Sequence, residues 1–364
     1  MDGRAIAITA VLALAGVSID GVTVASVPRM TPATTATVPL PRLSPFDKGQ
    51  SKKSGPPVAA AAPAEKGDVL LPLGRGRAAL VPFANSAFPY DGLIPDSEIP
   101  FLDAIDGTRR GHTSGRAGVL WEDETYNDRN VLLAFPPHFN VRRPAVIVVF
   151  FHGNEAILSR DVVARQRVAD QVAASGLNAI LVAPQLAHDA RDSSAGNFWK
   201  PGFFSAFLDE AATKLAKLHG AHATAADFQR LPVILVAYSG GYDAAGFALA
   251  VGGTGDRVHG VVLLDAMYGE QDKFVDWIAE HRRSAFFFSA FSRSSAAGNA
   301  DAEDRLATRH IHFRTALPRQ LEPGAITFFA TDPDLDHDAF VTEAWAQSPL
   351  RWLLSRVPAY RRGD

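Results

Sequence analysis

The sequence predicts an α/β fold, a mostly parallel eight-stranded sheet with helices on both faces. Three observations carry that expectation. Continuous apolar runs rich in β-branched and aromatic residues recur along the chain, as strands buried on both faces require. Stretches with apolar residues at helical spacing stand between them. The two patterns alternate, which is the order of a parallel sheet covered by helices.

In chain order, the strands expected are 118–121, 130–136, 145–151, 178–184, 233–238, 261–265, 285–291 and 325–330. The first two have the spacing of an antiparallel hairpin around Glu122 to Arg129. Ala145 to Phe151 reads Ala-Val-Ile-Val-Val-Phe-Phe, without a polar residue. A helix over Asp161 to Ala174 would bury Val162, Val163, Val168 and Val172, and one over Phe204 to Leu218 would bury Phe207, Ala211, Leu215 and Leu218. Asp243 to Val251 is rich in alanine, as a helix packed close on a sheet should be, and Phe340 to Leu354 would close the domain. Residues 66 to 117 show no firm period, but Phe88, Tyr90 and Phe101 are expected to pack on the domain.

The most specific signal is Val233-Ile-Leu-Val-Ala-Tyr-Ser239-Gly240-Gly241, an apolar run that stops at a serine between small residues. A strand, a sharp turn and a helix with serine at the apex form a nucleophile elbow, whose strained backbone tolerates only small neighbours. Ala237 stands where the G-x-S-x-G form has its first glycine. Downstream, Val261-Val-Leu-Leu ends in Asp265, and Ala325 to Ala330 is followed by Thr331-Asp-Pro-Asp-Leu-Asp-His337-Asp338. Ser239, Asp265 and His337 thus each follow a predicted strand, in the order Ser, Asp, His.

On these residues the chain resembles an α/β-hydrolase from about Gly118 to Trp352. The resemblance implies Ser239 as nucleophile, His337 as base and Asp265 as the acid that orients it. It also places an oxyanion loop at His152-Gly153-Asn154, after the third strand, so that the Gly240 N–H and the Gly153 and Asn154 region would receive the oxyanion. The commoner place for the acid in this family is after the next strand, where Asp301 is the nearest candidate. Some lipases of the fold carry it where Asp265 stands. Each residue has a plainer reading: a turn serine, a solvated acidic loop or metal site around His337, and a turn aspartate at 265. The acidic loop lacks the glycine and distal glutamate of an EF-hand.

The loop from Pro184 to Lys200 leaves the carboxyl edge of the sheet, where ligands of open α/β sheets bind. Phe198, Trp199 and Lys200 are therefore candidates for a substrate pocket, against ordinary packing of a long loop.

Composition narrows the class. The chain has 364 residues, a hydrophobic share of 47% and a net charge of −3, which gives no footing for nucleic acid or a polybasic membrane surface. It has no cysteine, so disulfides and thiolate chemistry are excluded. Arg4 followed by an apolar run from Ala5 to Val17 fits a signal peptide within 1–27, with an uncleaved anchor as the alternative. Residues 28–65, rich in Pro, Ala, Thr and Ser, read as a linker, and 66–364 as the hydrolase domain. The expectation is an exported serine hydrolase cleaving a small-molecule ester, with no metal or organic cofactor and no stable membrane span after processing. An amidase or peptidase acting on an envelope component shares the same residues, and a non-catalytic binding protein shares the scaffold.

Overall fold

The computed structural model describes residues 68–71, 76–220 and 222–362. The expected leader at 1–27 and linker at 28–65 lie outside them. Twelve strands are described: β1 (Val69–Leu71), β2 (Arg77–Pro82), β3 (Ala104–Asp106), β4 (Arg109–Ser114), β5 (Gly118–Trp121), β6 (Asn130–Phe135), β7 (Val146–Phe151), β8 (Ala179–Pro184), β9 (Val233–Tyr238), β10 (Val258–Leu264), β11 (Phe286–Phe291) and β12 (Ile326–Ala330).

Nine of them form one sheet in the order β1-β2-β6-β8-β7-β9-β10-β11-β12. The pairs β1–β2, β2–β6 and β6–β8 are antiparallel, and every pair from β8 to β12 is parallel. The central strands are buried throughout, which explains their unbroken apolar sequence. Alternation splits them between two cores. Ile147, Val149, Phe151, Leu235 and Ala237 face helices 203–219, 242–250, 271–281 and 296–308. Val146, Val148, Phe150, Ile234 and Val236 face helices 168–173 and 349–354.

Three expectations change. Residues 118–121 leave the main sheet and pair with β4 in a separate sheet ordered β3-β4-β5, while β2, from the region without a firm period, takes the place beside β6. The difference is one of burial: β5 is exposed to half-exposed along its length, whereas the central strands of the large sheet are buried on both faces. With β1 and β2 added, the main sheet has nine strands. The helix expected over 161–174 is two segments, Leu158–Arg165 and Val168–Ala173, broken where Arg167 turns left-handed at φ 51°. The closing helix is likewise split into Ala339–Thr342 and Pro349–Leu354, because proline disfavours helix at the residue before it and starts the second segment.

Chain direction fixes where a site can lie. From β7 the chain crosses to β8 on one side, and from β9 to β10 on the other, so β7 and β9 are neighbours whose following segments diverge. The crevice at their carboxyl ends is the switch point of the sheet. His152 follows β7 and Ser239 follows β9.

Candidate active site

Ser239 stands at the end of β9 in the left-handed region, φ 51°, and the helix Tyr242–Ala250 starts three residues later. A non-glycine residue there costs about 1–2 kcal/mol, strain that persists only where the surroundings enforce it. The surroundings are tight. A Cβ on Gly241 would lie 2.4 Å from the Phe151 carbonyl oxygen, and one on Gly153 would lie 2.8 Å from the Ser239 Cβ. Glycine at both positions lets β7 and its loop close on the elbow.

His337 follows β12 and its ring stacks on Tyr238, with centroids 5.0 Å apart, so the imidazole lies beside the residue preceding Ser239. Its Nδ1 bonds Asp265 Oδ2 at 2.7 Å. The Tyr238 hydroxyl donates to Asp338 Oδ1 at 2.9 Å, and Asp338 in turn pairs with Arg165, which pins the loop carrying His337.

Asp265 has no exposed surface. Burial pushes its carboxyl pKa up, but hydrogen bonds from His337, Ser294 and Ser295 and from the Ser292 N–H outweigh it and hold the group far below the usual range. Ser294 Oγ donates at 2.6 Å, the Ser292 N–H at 3.1 Å and Ser292 Oγ at 3.2 Å. All three serines follow β11, the strand after which the family more often places the acid. Here that loop supplies donors to an acid from the strand before. Asp301, the alternative acid, sits on helix 296–308 and pairs with Arg305 at 2.7 Å.

The loop after β7 is held by His152. Its Nδ1 bonds the Gly153 carbonyl at 2.7 Å, and its Nε2 accepts the Leu186 N–H at 2.8 Å and faces Gln185 Nε2 at 2.9 Å. Burial lowers its pKa to about 4, which keeps it neutral with the proton on Nδ1. Asn154 lies against the elbow: a Cβ on Gly240 would lie 2.1 Å from Asn154 Oδ1, the atom that accepts the Ser193 hydroxyl at 3.1 Å. Gly240, Gly153 and Asn154 therefore converge on Ser239.

The candidate pocket residues are placed otherwise. Phe198 is fully buried and packs on Phe151, Phe204 and Phe207, because the turn Gly196–Trp199 directs it into the core, so it has no surface for a substrate. Trp199 is half-buried between Tyr90, Phe101 and Phe247, and its indole N–H donates to Asp243 Oδ2 at 3.0 Å. Lys200 is exposed, its ammonium 5.1 Å from the Tyr90 ring centre. The cleft beside the elbow, about 310 Å³, is lined instead by residues including Ser193, Tyr242 and Asp243. Sequence reasoning passed over Asp243, although it lies in the first turn of the elbow helix. Burial, with Glu270 nearby, raises its pKa to about 7, against the Ala195 N–H and Trp199 indole that bond the same oxygen. The serine cage around Asp265 had a visible trace in Ser292-Arg293-Ser294-Ser295.

Strand order, elbow and the Ser, Asp, His succession give the chain the α/β-hydrolase architecture. No protein-family model matches the chain, and no curated protein matches it. Among solved structures it is similar to an S-formylglutathione hydrolase from Agrobacterium tumefaciens, at 11% identity and a TM-score of 0.42, over 80% of this chain and 100% of that one. It is also similar to the feruloyl esterase module from Clostridium thermocellum, at 13% identity and a TM-score of 0.40, over 78% and 100%. A third is an IroE-like serine hydrolase from Shewanella oneidensis, at 15% identity and a TM-score of 0.35, over 58% and 71%.

Proposed function

We propose that this chain is a serine esterase that works through an acyl-enzyme. The observation that carries the reading is the bond between His337 Nδ1 and a buried Asp265, beside an elbow that holds Ser239 left-handed. With Nδ1–H donated to Asp265, the lone pair of His337 is on Nε2, available to take a proton. Ser239 Oγ attacks the ester carbonyl as Nε2 accepts the hydroxyl proton. The carbonyl oxygen becomes an oxyanion and is met by the Gly240 N–H and the Gly153 and Asn154 loop. The C–O bond to the alcohol breaks, and Nε2 returns the proton to the leaving alkoxide. Water, deprotonated by the same nitrogen, then attacks the acyl carbonyl, the bond to Ser239 Oγ breaks, and Nε2 returns the proton to that oxygen as the acid leaves. Each step uses groups of the chain itself.

A fluorophosphonate probe on the full chain tests the reading. Labelling of the wild type, lost in Ser239→Ala, is expected together with hydrolysis of small esters. A folded wild type that takes no label refutes it, and faster turnover of matched amides would move the activity to an amidase. We also propose that residues 1–27 direct export. The mature N-terminus, sequenced from fractionated cells, should then begin downstream of this segment in the exported fraction; an intact Met1 in the cytosol would refute export.

A further inference from the structure

The cleft beside the elbow is reached by Arg116, on the turn between β4 and β5 of the small sheet. That turn is pinned. Ser114 Oγ donates to the Arg191 carbonyl at 3.2 Å and accepts the Arg116 N–H at 3.3 Å, which ties the small sheet to the loop carrying Ser193.

The other charges of the cleft are engaged. Arg191 pairs with Glu155 at 2.9 Å. Asp192 accepts the Tyr126 hydroxyl at 2.9 Å and the Ser194 hydroxyl at 3.0 Å. Asp243 accepts two N–H groups on one oxygen. Arg116 and Tyr242 both line this cleft, and among the described residues neither the Arg116 guanidinium nor the Tyr242 hydroxyl has a hydrogen bond or ion pair. The Arg116 charge is also felt near the triad: burial raises the pKa of Tyr242 and Tyr268, and Arg116 pulls each back. The Tyr268 hydroxyl lies 3.4 Å from Asp265 Oδ2, and its ring centre 6.3 Å from that of His337.

We propose that Arg116 binds a carboxylate of the substrate, so that the esters cleaved at Ser239 carry an anionic group on the part lying in this cleft. A planar guanidinium with its donors unclaimed matches a carboxylate. Of the cleft's carboxylates, Asp192 has a hydroxyl donor on each oxygen and Asp243 two N–H donors on one, and neither pairs with Arg116. The inference rests on the esterase reading above.

Two matched pairs of esters test it on the full chain. One pair varies the alcohol half, para-acetoxybenzoate against para-acetoxybenzamide. The other varies the acyl half, para-nitrophenyl para-carboxybenzoate against para-nitrophenyl para-carbamoylbenzoate. In at least one pair the wild type should favour the carboxylate by about tenfold in kcat/KM, the size of one charge-assisted hydrogen bond discounted for exposure. Arg116→Gln should bring that ratio near unity, and Arg116→Lys should restore part of it. In the wild type itself the ratio should fall toward unity as salt rises to about 0.5 M, where charges are screened over a few ångströms. Fluorophosphonate labelling in the same samples separates the two ideas. Labelled protein with equal rates within both pairs, or a preference untouched by Arg116→Gln, overturns the anion site alone. Absence of both labelling and hydrolysis in the wild type overturns the esterase reading, and the anion site with it.

Discussion

Two aspartates lie at the carboxyl edge of this sheet, both buried, and their pKa values move in opposite directions. Asp265 follows β10 with no exposed surface, while Asp243 is 9% exposed in the first turn of the elbow helix. The more deeply buried one keeps its charge: Asp265 is held far below the usual carboxylate range, whereas Asp243 is raised to about 7. Burial pushes both upward, so burial does not decide between them. Donors do. Asp265 has both oxygens covered by hydroxyls and N–H groups and bonds a histidine; Asp243 has two donors on one oxygen and the negative Glu270 nearby. A low-dielectric site holds a charge when its hydrogen bonds replace the lost hydration, and expels it when they do not.

The largest test breaks the pair at its charged member. Asp265→Asn leaves an amide facing His337 Nδ1, which favours the tautomer protonated on Nε2 and so removes the base for Ser239. Activity on an ester should fall about a thousand- to ten-thousand-fold, with fluorophosphonate labelling slowed; a loss of less than about tenfold would deny Asp265 its orienting role.

Next in size is Asp243→Asn, read by stability against pH. Because the folded pKa lies above the ordinary value, the folded chain keeps this proton between about pH 4 and pH 7, where the unfolded chain has released it. The stability present below that window is therefore lost as pH rises through it. The asparagine keeps an oxygen for the Ala195 N–H and the Trp199 indole but cannot ionise. Denaturant melts at pH 5 and pH 8 should show a loss about 2–3 kcal/mol smaller in the variant than in the wild type. Equal losses would mean Asp243 ionises as an ordinary carboxylate.

Ser294→Ala makes the smallest change and sharpens the comparison, moving Asp265 one step toward the condition of Asp243. It removes the hydroxyl that donates at 2.6 Å to the oxygen bonded by His337. At pH 7 it should cost about 1 kcal/mol. The stability that Asp265 contributes is present above the ordinary carboxylate pKa and lost as pH falls, so acid unfolding of the variant should begin at a higher pH. An unchanged acid limb would show that the remaining donors suffice.

Much of this was written in the chain as local pattern. The run Val233 to Tyr238 is a buried strand because its side chains from Val233 to Ala237 are all apolar, and Ser239-Gly240-Gly241 is an elbow because only glycine lets Phe151 approach. The parallel strands, the helices over 203–219 and 242–250, and the Ser, Asp, His order follow from such runs and spacings. What the sequence did not determine depends on which distant segments meet. Gly118–Trp121 has the look of a strand, but which strand it joins is a matter of burial across the whole molecule. Phe198 is as apolar as any pocket residue, and only packing against Phe151 and Phe207 makes it core. The state of Asp265 was likewise out of reach, because it is set by serines some thirty residues away. Hydrophobic periodicity is a property of neighbours in sequence, whereas desolvation, ion pairing and pocket lining are properties of neighbours in space, and those exist only once the chain has folded.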